Sequence, residues 1–341
     1  MSAKGSFVKK IVIVLGFVLS LLFLYLSLRQ VEWSNVVAAI KSASIPYLAM
    51  SVACFGICYA IRVKRWQAML NPTTVTRYND AWAATSIGYF ANNLLPAHLG
   101  EVVRVFIFGK KTGTSRSFLL ATIFMEKLLD FVMLVVFLSL LLTMQNDFPE
   151  WIHRLASMTG LATFLGVITV FGLIVSTRSS NAVIGKIFFF LSPKTLKKLN
   201  NKIELFSAGL RVFDGVPQVL RMVVYSILPW LLWVGFLHYA LLAFDLQLPL
   251  NGLLLMTALL HLGILIPSSP GYIGTYQFIC VTGLGLFDVS RSTALGFSLV
   301  FHALWYVPLT ALGMYYLWQE RIGLSNLASW SAKVGNGESQ T

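Results

Sequence analysis

The sequence predicts an all-α polytopic membrane protein with six full transmembrane helices and two shorter, interrupted regions that fold as oppositely oriented re-entrant helical hairpins. Three observations lead to this fold class. Hydrophobic residues make up 57% of the chain and charged residues 11%, whereas a soluble domain averages roughly 45–50% and about 25%. The apolar residues gather in blocks close to the length of a membrane span. The basic residues cluster between these blocks on one predicted side of the bilayer.

Six blocks approach the roughly 20 apolar residues that a membrane-spanning helix needs. They cover residues 8–29, 44–62, 117–143, 159–177, 220–244 and 292–318. The first block follows two lysines and has no small-residue cleavage site after it. We therefore expect it to remain as a transmembrane helix instead of being removed as a signal peptide.

The other two regions, residues 79–109 and 250–287, are apolar but contain Pro and Gly. Lys and Arg favour the cytoplasmic ends of helices, and basic clusters flank residues 79–109 on both sides. Two crossings need about 40 residues, so a re-entrant hairpin fits this shorter region. Residues 250–287 then form a second hairpin from the opposite face, and both termini are cytoplasmic. An alternative is that each region forms two short, tilted, complete helices, with the same outer orientation.

The distribution of basic residues supports this topology. Of the 26 Lys and Arg residues, one lies inside a predicted helix, and the ones left outside are Arg29, Lys41, Arg154 and Arg291. The net charge of +13 therefore reflects membrane topology, and we expect no nucleic-acid partner. We expect one integral membrane domain over residues 1–330 and a short polar cytoplasmic tail over 331–341. The Cys and His spacings predict no metal or cofactor site.

The two interrupted regions share a short motif, which favours an inverted repeat. LPAHLGEVVR (95–104) and SPGYIGTYQF (269–278) both contain Pro-x-x-(Leu/Ile)-Gly. Paired Gly/Pro breaks in two halves of a chain indicate a transporter site, because non-helical backbone in a bilayer must face protein or a water-filled cavity. We expect Pro96 and Pro270 to open the second helix of each hairpin, with Ser268 or Ser269 as a cap for the second copy. The helix N-termini would then favour an anion.

Charged residues inside the block 117–143 indicate a polar cluster. Glu126 and Asp130 share one helix face, with Lys127 beside them. Central charges cost about 2.5–3.5 kcal/mol each on insertion scales, and Glu101 and Arg104 are the natural partners. The cluster is either a purely structural set of ion pairs or the wall of a polar cavity that handles a head group or a proton.

The run RVKRW (62–66) predicts an interfacial anchor at the end of the second block, with Trp66 at head-group level. Arg62 and Arg65 would contact lipid phosphate. The remaining candidate substrate-binding residues come from the two breaks and the charged helix, and we name no catalytic residue. They are Asn92, Asn93, Pro96, His98, Gly100, Glu101, Arg104, Glu126, Lys127, Asp130, Pro270, Gly271, Gly274 and Gln277. A structural alternative is that the Pro and Gly residues serve packing and the Asn residues tie helices together.

These motifs resemble the transmembrane, flippase-like region of bacterial lysylphosphatidylglycerol synthases and the stand-alone membrane proteins related to it. The resemblance covers roughly residues 10–320 and rests on RVKRW (62–66), NNLLPAHLGEVVR (92–104), MEKLLD (125–130) and PSSPGYIGTYQ (267–277). His98 and Lys127 stand where the family favours Arg, and Gln277 where it often has Glu. The helix change keeps the charge, whereas the other two change the chemistry offered to a head group.

The resemblance implies a flippase or transporter for an anionic or glycosylated lipid in the bacterial cytoplasmic (inner) membrane. In the full synthases, this region is associated with moving aminoacylated phosphatidylglycerol between leaflets, while a soluble domain transfers lysine from tRNA. No such domain is expected here, which argues against an aminoacyltransferase. Two alternatives stay open: an enzyme that acts on a lipid head group, with Glu126, Asp130, His98 or Glu101 as acid or base, or a non-catalytic partner of an envelope glycosyltransferase. The sequence does not define the oligomeric state.

Overall fold

The computed structural model describes residues 3–70, 76–95, 99–144, 149–178, 215–266 and 268–323, and these residues are helical apart from turns and short connections. We number the helices in chain order: α1 (Ala3–Leu28), α2 (Trp33–Ser42), α3 (Ile45–Leu70), α4 (Tyr78–Leu94), α5 (Gly100–Thr112), α6 (Arg116–Met144), α7 (Glu150–Arg178), α8 (Val216–Ala243), α9 (Leu250–Leu265), α10 (Thr275–Gly285) and α11 (Arg291–Gln319). A 3₁₀ turn, Pro270–Tyr272, lies between α9 and α10.

Each of the six apolar blocks forms a helix, as α1, α3, α6, α7, α8 and α11. By length and composition, four helices of the described part are able to cross a membrane, namely α3, α6, α8 and α11. A fifth span results if the pair α1 and α2, bent by 87°, counts as one. This all-helical architecture is that of a multi-pass membrane protein, while the arrangement of six spans and two re-entrant hairpins stays a prediction.

Both interrupted regions are pairs of short helices. In the first, α4 and α5 pack against each other around a break near residue 95. In the second, α9 and α10 pack together around the 3₁₀ turn. With 17, 13, 16 and 11 residues, these helices rise about 16–26 Å at 1.5 Å per residue, less than the ~30 Å hydrocarbon core.

The second helix of each interrupted region, α5 and α10, begins several residues after the proline that was predicted to open it. Pro270 opens the 3₁₀ turn, and α10 begins only at Thr275 with Gly274 as its N-cap. The expectation that Pro270 opens the second helix is therefore wrong, because the chain needs a turn with left-handed residues before it can enter α10. Ser269 does not cap α10 but donates its hydroxyl proton to the Ile273 carbonyl at 2.9 Å. Pro96 lies outside the described residues, and α5 begins at Gly100.

The long helices α3 and α8 form the central packing of the bundle. Small side chains on α3 let the two backbones approach each other, as is usual between membrane helices. Ser51 donates to the Phe236 carbonyl at 2.7 Å and Cys58 donates to the Pro229 carbonyl at 3.2 Å. The pair provides a stable frame for the two interrupted regions, and both regions also contact α11.

Candidate functional site

A cavity of about 160 Å³ lies where the two interrupted regions meet. The 3₁₀ turn of the second region contacts α4 of the first. From the first region the cavity is lined by Tyr89, Asn92, Asn93 and Glu101, and from the second by His261, Ile264, Leu265 and Tyr272. Helices α3, α6, α8 and α11 complete the wall. The volume exceeds the roughly 10–15 Å³ that one water needs, so the cavity has room for a small polar group.

One wall of the cavity carries a network of ion pairs centred on α6. Glu126 lies 3.0 Å from the Arg104 guanidinium, and Lys127 lies 2.9 Å from Glu101. These contacts join α6 to α5, so Glu101 and Arg104 are indeed partners of the charges on α6. Asp130 pairs elsewhere, with two arginines of α3.

The partners of Asp130 are Arg65, at 2.9 Å, and Arg62, at 3.3 Å. Arg65 also approaches Glu126 at 3.8 Å. Among the described residues, the network thus contains four cations and three carboxylates and has one surplus positive charge. The cations are Arg62, Arg65, Arg104 and Lys127, and the carboxylates are Glu101, Glu126 and Asp130.

The charges of the network divide into an inner and an outer set. The side chains of Arg65, Arg104 and Glu126 are less than one-tenth exposed and lie behind the cavity wall. Lys127 lines the cavity, and 49% of its side chain is exposed. The outer cation is therefore the one that a ligand reaches first.

Trp66 is fully buried, so the prediction of a head-group anchor is wrong. Helix α3 continues to Leu70, beyond the predicted end at residue 62, and the Trp66 side chain in its last turns contacts both α5 and α6. The Arg104 guanidinium lies 3.6 Å from the centre of the Trp66 ring, and the indole N–H donates to Thr122 at 3.1 Å. A cation over an indole ring is stabilised by the ring quadrupole, which fixes Arg104 beside Glu126.

Amide side chains accept hydrogen bonds from backbone N–H groups at the start of α5 and of α10, the second helices of the two interrupted regions. Asn92 Oδ1 accepts from the Gly100 N–H at 2.7 Å, and its Nδ2 donates to Glu101 at 3.2 Å. Gln277 Oε1 accepts from the Gly274 N–H at 2.8 Å, and its Nε2 contacts His302 Nδ1 at 3.1 Å. These two N–H groups are thus bonded within the protein. That the helix N-termini favour an anion stays a prediction.

The break of the second region has an unusual backbone. Gly271, Tyr272 and Gly274 have φ angles of 69°, 61° and 90°. A tyrosine in the left-handed region is uncommon and costs of order 1–2 kcal/mol, so the surroundings must impose it. A Cβ on Gly274 would overlap the Ser20 carbonyl oxygen of α1, and one on Gly271 would lie 2.6 Å from the Tyr306 ring. The close contacts hold Tyr272 in the cavity wall.

A second part of the cavity wall is aromatic. Trp230 and Trp233 of α8 enclose His261 of α9, with ring centroids 4.4 Å and 4.9 Å away. His261 Nδ1 lies 2.8 Å from the Thr257 carbonyl. Since a carbonyl only accepts, Nδ1 carries the proton, and Nε2 of the neutral ring is an acceptor. No group of three or more His, Cys, Asp or Glu in the described ranges has a metal-binding geometry.

Comparison with protein families decides the classification. The family described as lysylphosphatidylglycerol synthase TM region matches residues 13–313. The chain belongs to this family. The match includes all the elements that line the cavity.

Relatives of this family member include archaeal membrane proteins. It is 23% identical over 239 residues to the UPF0104 membrane protein MJ1078 of Methanocaldococcus jannaschii, covering 68% of this chain and 96% of the relative. A UPF0104 membrane protein of Methanothermobacter thermautotrophicus is 24% identical over 331 residues, covering 92% and 95%. One from Pyrococcus horikoshii is 29% identical over 140 residues, covering 39% of each chain. No solved structure matches significantly.

The candidate residues of this lysylphosphatidylglycerol synthase TM-region protein fall into three groups. The ones that line the cavity are Arg62, Asn92, Asn93, Glu101, Lys127 and Asp130. The ones that support the wall or form its turns are Arg65, Gly100, Arg104, Glu126, Pro270, Gly271, Gly274 and Gln277. Pro96 and His98 lie outside the described residues.

Sequence reasoning missed the aromatic part of the cavity. Its members are Phe55, Tyr59, Tyr89, Phe131, Trp230, Trp233, Tyr272 and Trp305. Phe55, Trp230 and Trp233 lie in long apolar helices, where no local pattern separates a cavity wall from a lipid-facing surface. Tyr89, Phe131 and Tyr272 lie beside the polar and broken segments, which drew attention to their polar neighbours instead. A weak signal was available at Trp230, because a buried indole N–H usually needs an acceptor and the neighbouring apolar residues offer none.

Proposed function

We propose that this protein binds the head group of an anionic or glycosylated phospholipid in the cavity and carries it between the two leaflets of the membrane. The observation that supports this proposal is the surplus positive charge beside a cavity formed by two broken helix pairs. The proposal includes no covalent step, and the proposed ligand is a membrane lipid. The proposed location is the bacterial cytoplasmic membrane.

The charge balance favours an anionic ligand. An unneutralised charge in a membrane costs about 2.5–3.5 kcal/mol on insertion scales. A phosphate group near Arg62 and Lys127 would neutralise the surplus while the ion pairs to Asp130 and Glu101 persist. Hydrogen bonds between charged groups contribute roughly 1.5–3 kcal/mol each. A zwitterionic head group forms the same bonds through its phosphate, but its own ammonium group adds a positive charge, so only an anionic head group neutralises the surplus.

The position of the cavity suits a ligand whose acyl chains stay in the bilayer. Two lining side chains of opposite character reach the molecular surface: Lys127 is 49% exposed and Leu265 is 46% exposed. A head group can therefore enter beside an apolar edge. Broken helices at membrane depth are tolerated where they border a cavity, and they are typical of transport sites.

A lipid-translocation assay tests this proposal. The purified protein is reconstituted into vesicles that contain NBD-labelled phosphatidylglycerol or NBD-labelled phosphatidylcholine, and dithionite bleaches the label in the outer leaflet. We expect the protein to speed bleaching of the inner-leaflet anionic label more than that of the zwitterionic one. Arg62→Gln removes one cation but leaves Asp130 paired with Arg65, and we expect the anionic rate to fall by about 10-fold.

The matched control is Arg154→Gln. Arg154 is 71% exposed and pairs with Glu150 one helical turn away, so its loss should leave the rate unchanged. Wild-type vesicles that bleach no faster than protein-free vesicles would refute transport. Equal losses for Arg62→Gln and Arg154→Gln would refute the role of the cavity.

A further inference from the structure

The aromatic wall of the cavity contains buried hydrogen-bond donors without acceptors. The indole nitrogens of Trp230 and Trp233 are buried, and neither has a hydrogen-bond partner among the described residues. Both side chains line the cavity and contact the His261 ring. Leaving a buried donor unbonded costs about 1–3 kcal/mol. A ligand that supplies acceptors to these donors therefore gains more binding free energy than it would from donors that already have partners.

His261 adds an acceptor to the same wall. Its Nδ1–H donates to the Thr257 carbonyl, so Nε2 has a lone pair and no proton when the ring is neutral. Two indole donors and one imidazole acceptor thus belong to a single aromatic cluster, in which Trp230 stacks on His261 and Trp233 meets it edge-on. A ligand that matches all three needs groups that both accept and donate.

This requirement separates the common head-group chemistries. An ammonium group donates only, so it cannot satisfy either indole N–H. A bare phosphate accepts but, when fully ionised, offers no proton to His261. A hydroxyl has one O–H donor and two acceptor lone pairs, and a ring with several hydroxyls also has apolar C–H faces that pack on aromatic rings. Among these chemistries, the hydroxyl is the group that both accepts and donates, and a hydroxyl-bearing ring also packs on the aromatic side chains.

We infer that the cavity recognises a lipid head group with a sugar or cyclic polyol attached to its phosphate, with the phosphate near Arg62 and Lys127 and the hydroxyls against Trp230, Trp233 and His261. This inference rests on the proposed function and specifies its substrate class. The charged lining residues come from α3, α5 and α6, whereas Trp230, Trp233 and His261 come from α8 and α9.

Binding of short-chain lipids to the purified protein tests the inference. The probes are dihexanoyl phosphatidylinositol for a cyclic polyol, dihexanoyl phosphatidic acid for a bare phosphate and dihexanoyl phosphatidylethanolamine for an ammonium. Dissociation constants come from microscale thermophoresis. We expect phosphatidylinositol to bind at least about 10-fold more tightly than phosphatidic acid, since each hydrogen bond contributes ~0.5–1.5 kcal/mol.

Trp230→Phe and Trp233→Phe remove the N–H but keep an aromatic ring. Each should reduce the preference for phosphatidylinositol over phosphatidic acid by about 3- to 10-fold. Trp318→Phe is the control, because Trp318 is exposed and does not line the cavity. Melting temperatures identify any variant that does not fold, and the other variant then decides the outcome.

The outcomes separate the inference from the function on which it rests. Equal affinities for phosphatidylinositol and phosphatidic acid, or a preference that both tryptophan variants retain, would overturn the inference and leave an anionic-lipid site in place. A preference for phosphatidylethanolamine would replace the polyol by an ammonium. Failure of all anionic probes to bind would count against the proposed function itself.

Discussion

The two interrupted regions solve the same structural problem by different means. In each, an amide side chain accepts the N–H at the start of the second helix, from Asn92 in the first region and from Gln277 in the second. The first region is then joined to its neighbour by ion pairs through Glu101 and Arg104. The second is held by aromatic contacts and a left-handed turn at Tyr272.

The difference shows that one cavity can combine two kinds of wall. The charged wall offers a surplus cation to an anion, and the aromatic wall offers indole N–H groups that have no partner in the described part of the chain. If the comparison is right, changes in the first region should alter charge selectivity. Changes in the second should alter the affinity for the part of the head group beyond its phosphate.

The largest expected effect comes from filling the backbone contacts at the two breaks. A Cβ on Gly100 would overlap the Gly88 carbonyl oxygen, and one on Gly274 would overlap the Ser20 carbonyl oxygen. We expect Gly100→Ala and Gly274→Ala each to lower the free energy of unfolding by about 3 kcal/mol or more, since overpacking alone costs ~1–3 and backbone atoms cannot rotate away.

Unfolding in SDS titrations measures these losses. Gly56→Ala is the control, because Gly56 has open space where its Cβ would lie, and it should be neutral within ~0.5 kcal/mol. A neutral Gly100→Ala would show that α4 and α5 can separate at no cost, contrary to the tight packing of the first region.

The next effect concerns the buried ion pairs and should be confined to the first region. Glu126→Gln leaves Arg104 without its carboxylate but keeps an amide oxygen as an acceptor. We therefore expect a cost of about 2–3 kcal/mol, at or below the roughly 3–5 kcal/mol of a fully broken buried pair. We expect hydrogen exchange to rise in α5 and to stay unchanged in α10. Glu150→Gln, which breaks the exposed pair with Arg154, should cost less than about 1 kcal/mol. Equal exchange in α5 and α10 would contradict the division into two walls.

A charge cycle at the cavity mouth should change affinity in opposite directions. Lys127→Met removes the surplus charge and Glu101→Gln increases it, whereas the double variant restores the original balance. We expect Lys127→Met to weaken binding of short-chain phosphatidic acid by about 10-fold and Glu101→Gln to strengthen it by a similar factor. The double variant should bind with nearly the wild-type affinity. Isothermal titration measures all three, and weaker binding for Glu101→Gln would rule out the charge surplus as the cause.

The smallest effect compares the two amide caps. Gln277→Ala removes an acceptor from Gly274 N–H, and loss of a helix cap costs ~1 kcal/mol. Asn92→Ala removes an equivalent cap and also the contact to Glu101, so it should cost slightly more and should also lower anionic-lipid affinity. A melting curve and a binding isotherm for each variant test this contrast, which fails if Gln277→Ala shows the greater loss of affinity.

Much of the fold could be predicted because membrane helices are recognisable in a sequence from the length and hydropathy of their apolar segments. All six long apolar blocks are helices, and the two breaks fall where Pro and Gly interrupt the pattern. Partners for the charges on α6 were also predictable, since Glu101 and Arg104 are the charged residues near the break of the first region.

The missing parts depend on contacts between distant segments. The sequence places Arg65 and Trp66 at a membrane surface, because a basic run normally ends a span, but α3 continues past them into the bundle. The 10-residue α2 was missed since nothing in its composition marks a bend of 87°. The contacts of His261 with Trp230 and Trp233 join residues of two apolar helices whose register no local pattern reveals.

The glycine contact between α4 and α5 has a mechanical consequence. Where two helices touch backbone to backbone, no side chain remains between them to change rotamer, and the junction resists both sliding and widening. We therefore expect α4 and α5 to move together as one rigid unit. Any motion that opens the cavity then takes place where this unit packs against α6 and α11, because side chains at those contacts can change rotamer. Thermal fluctuations of the hairpin should accordingly be collective, with Gly88 and Gly100 moving in phase.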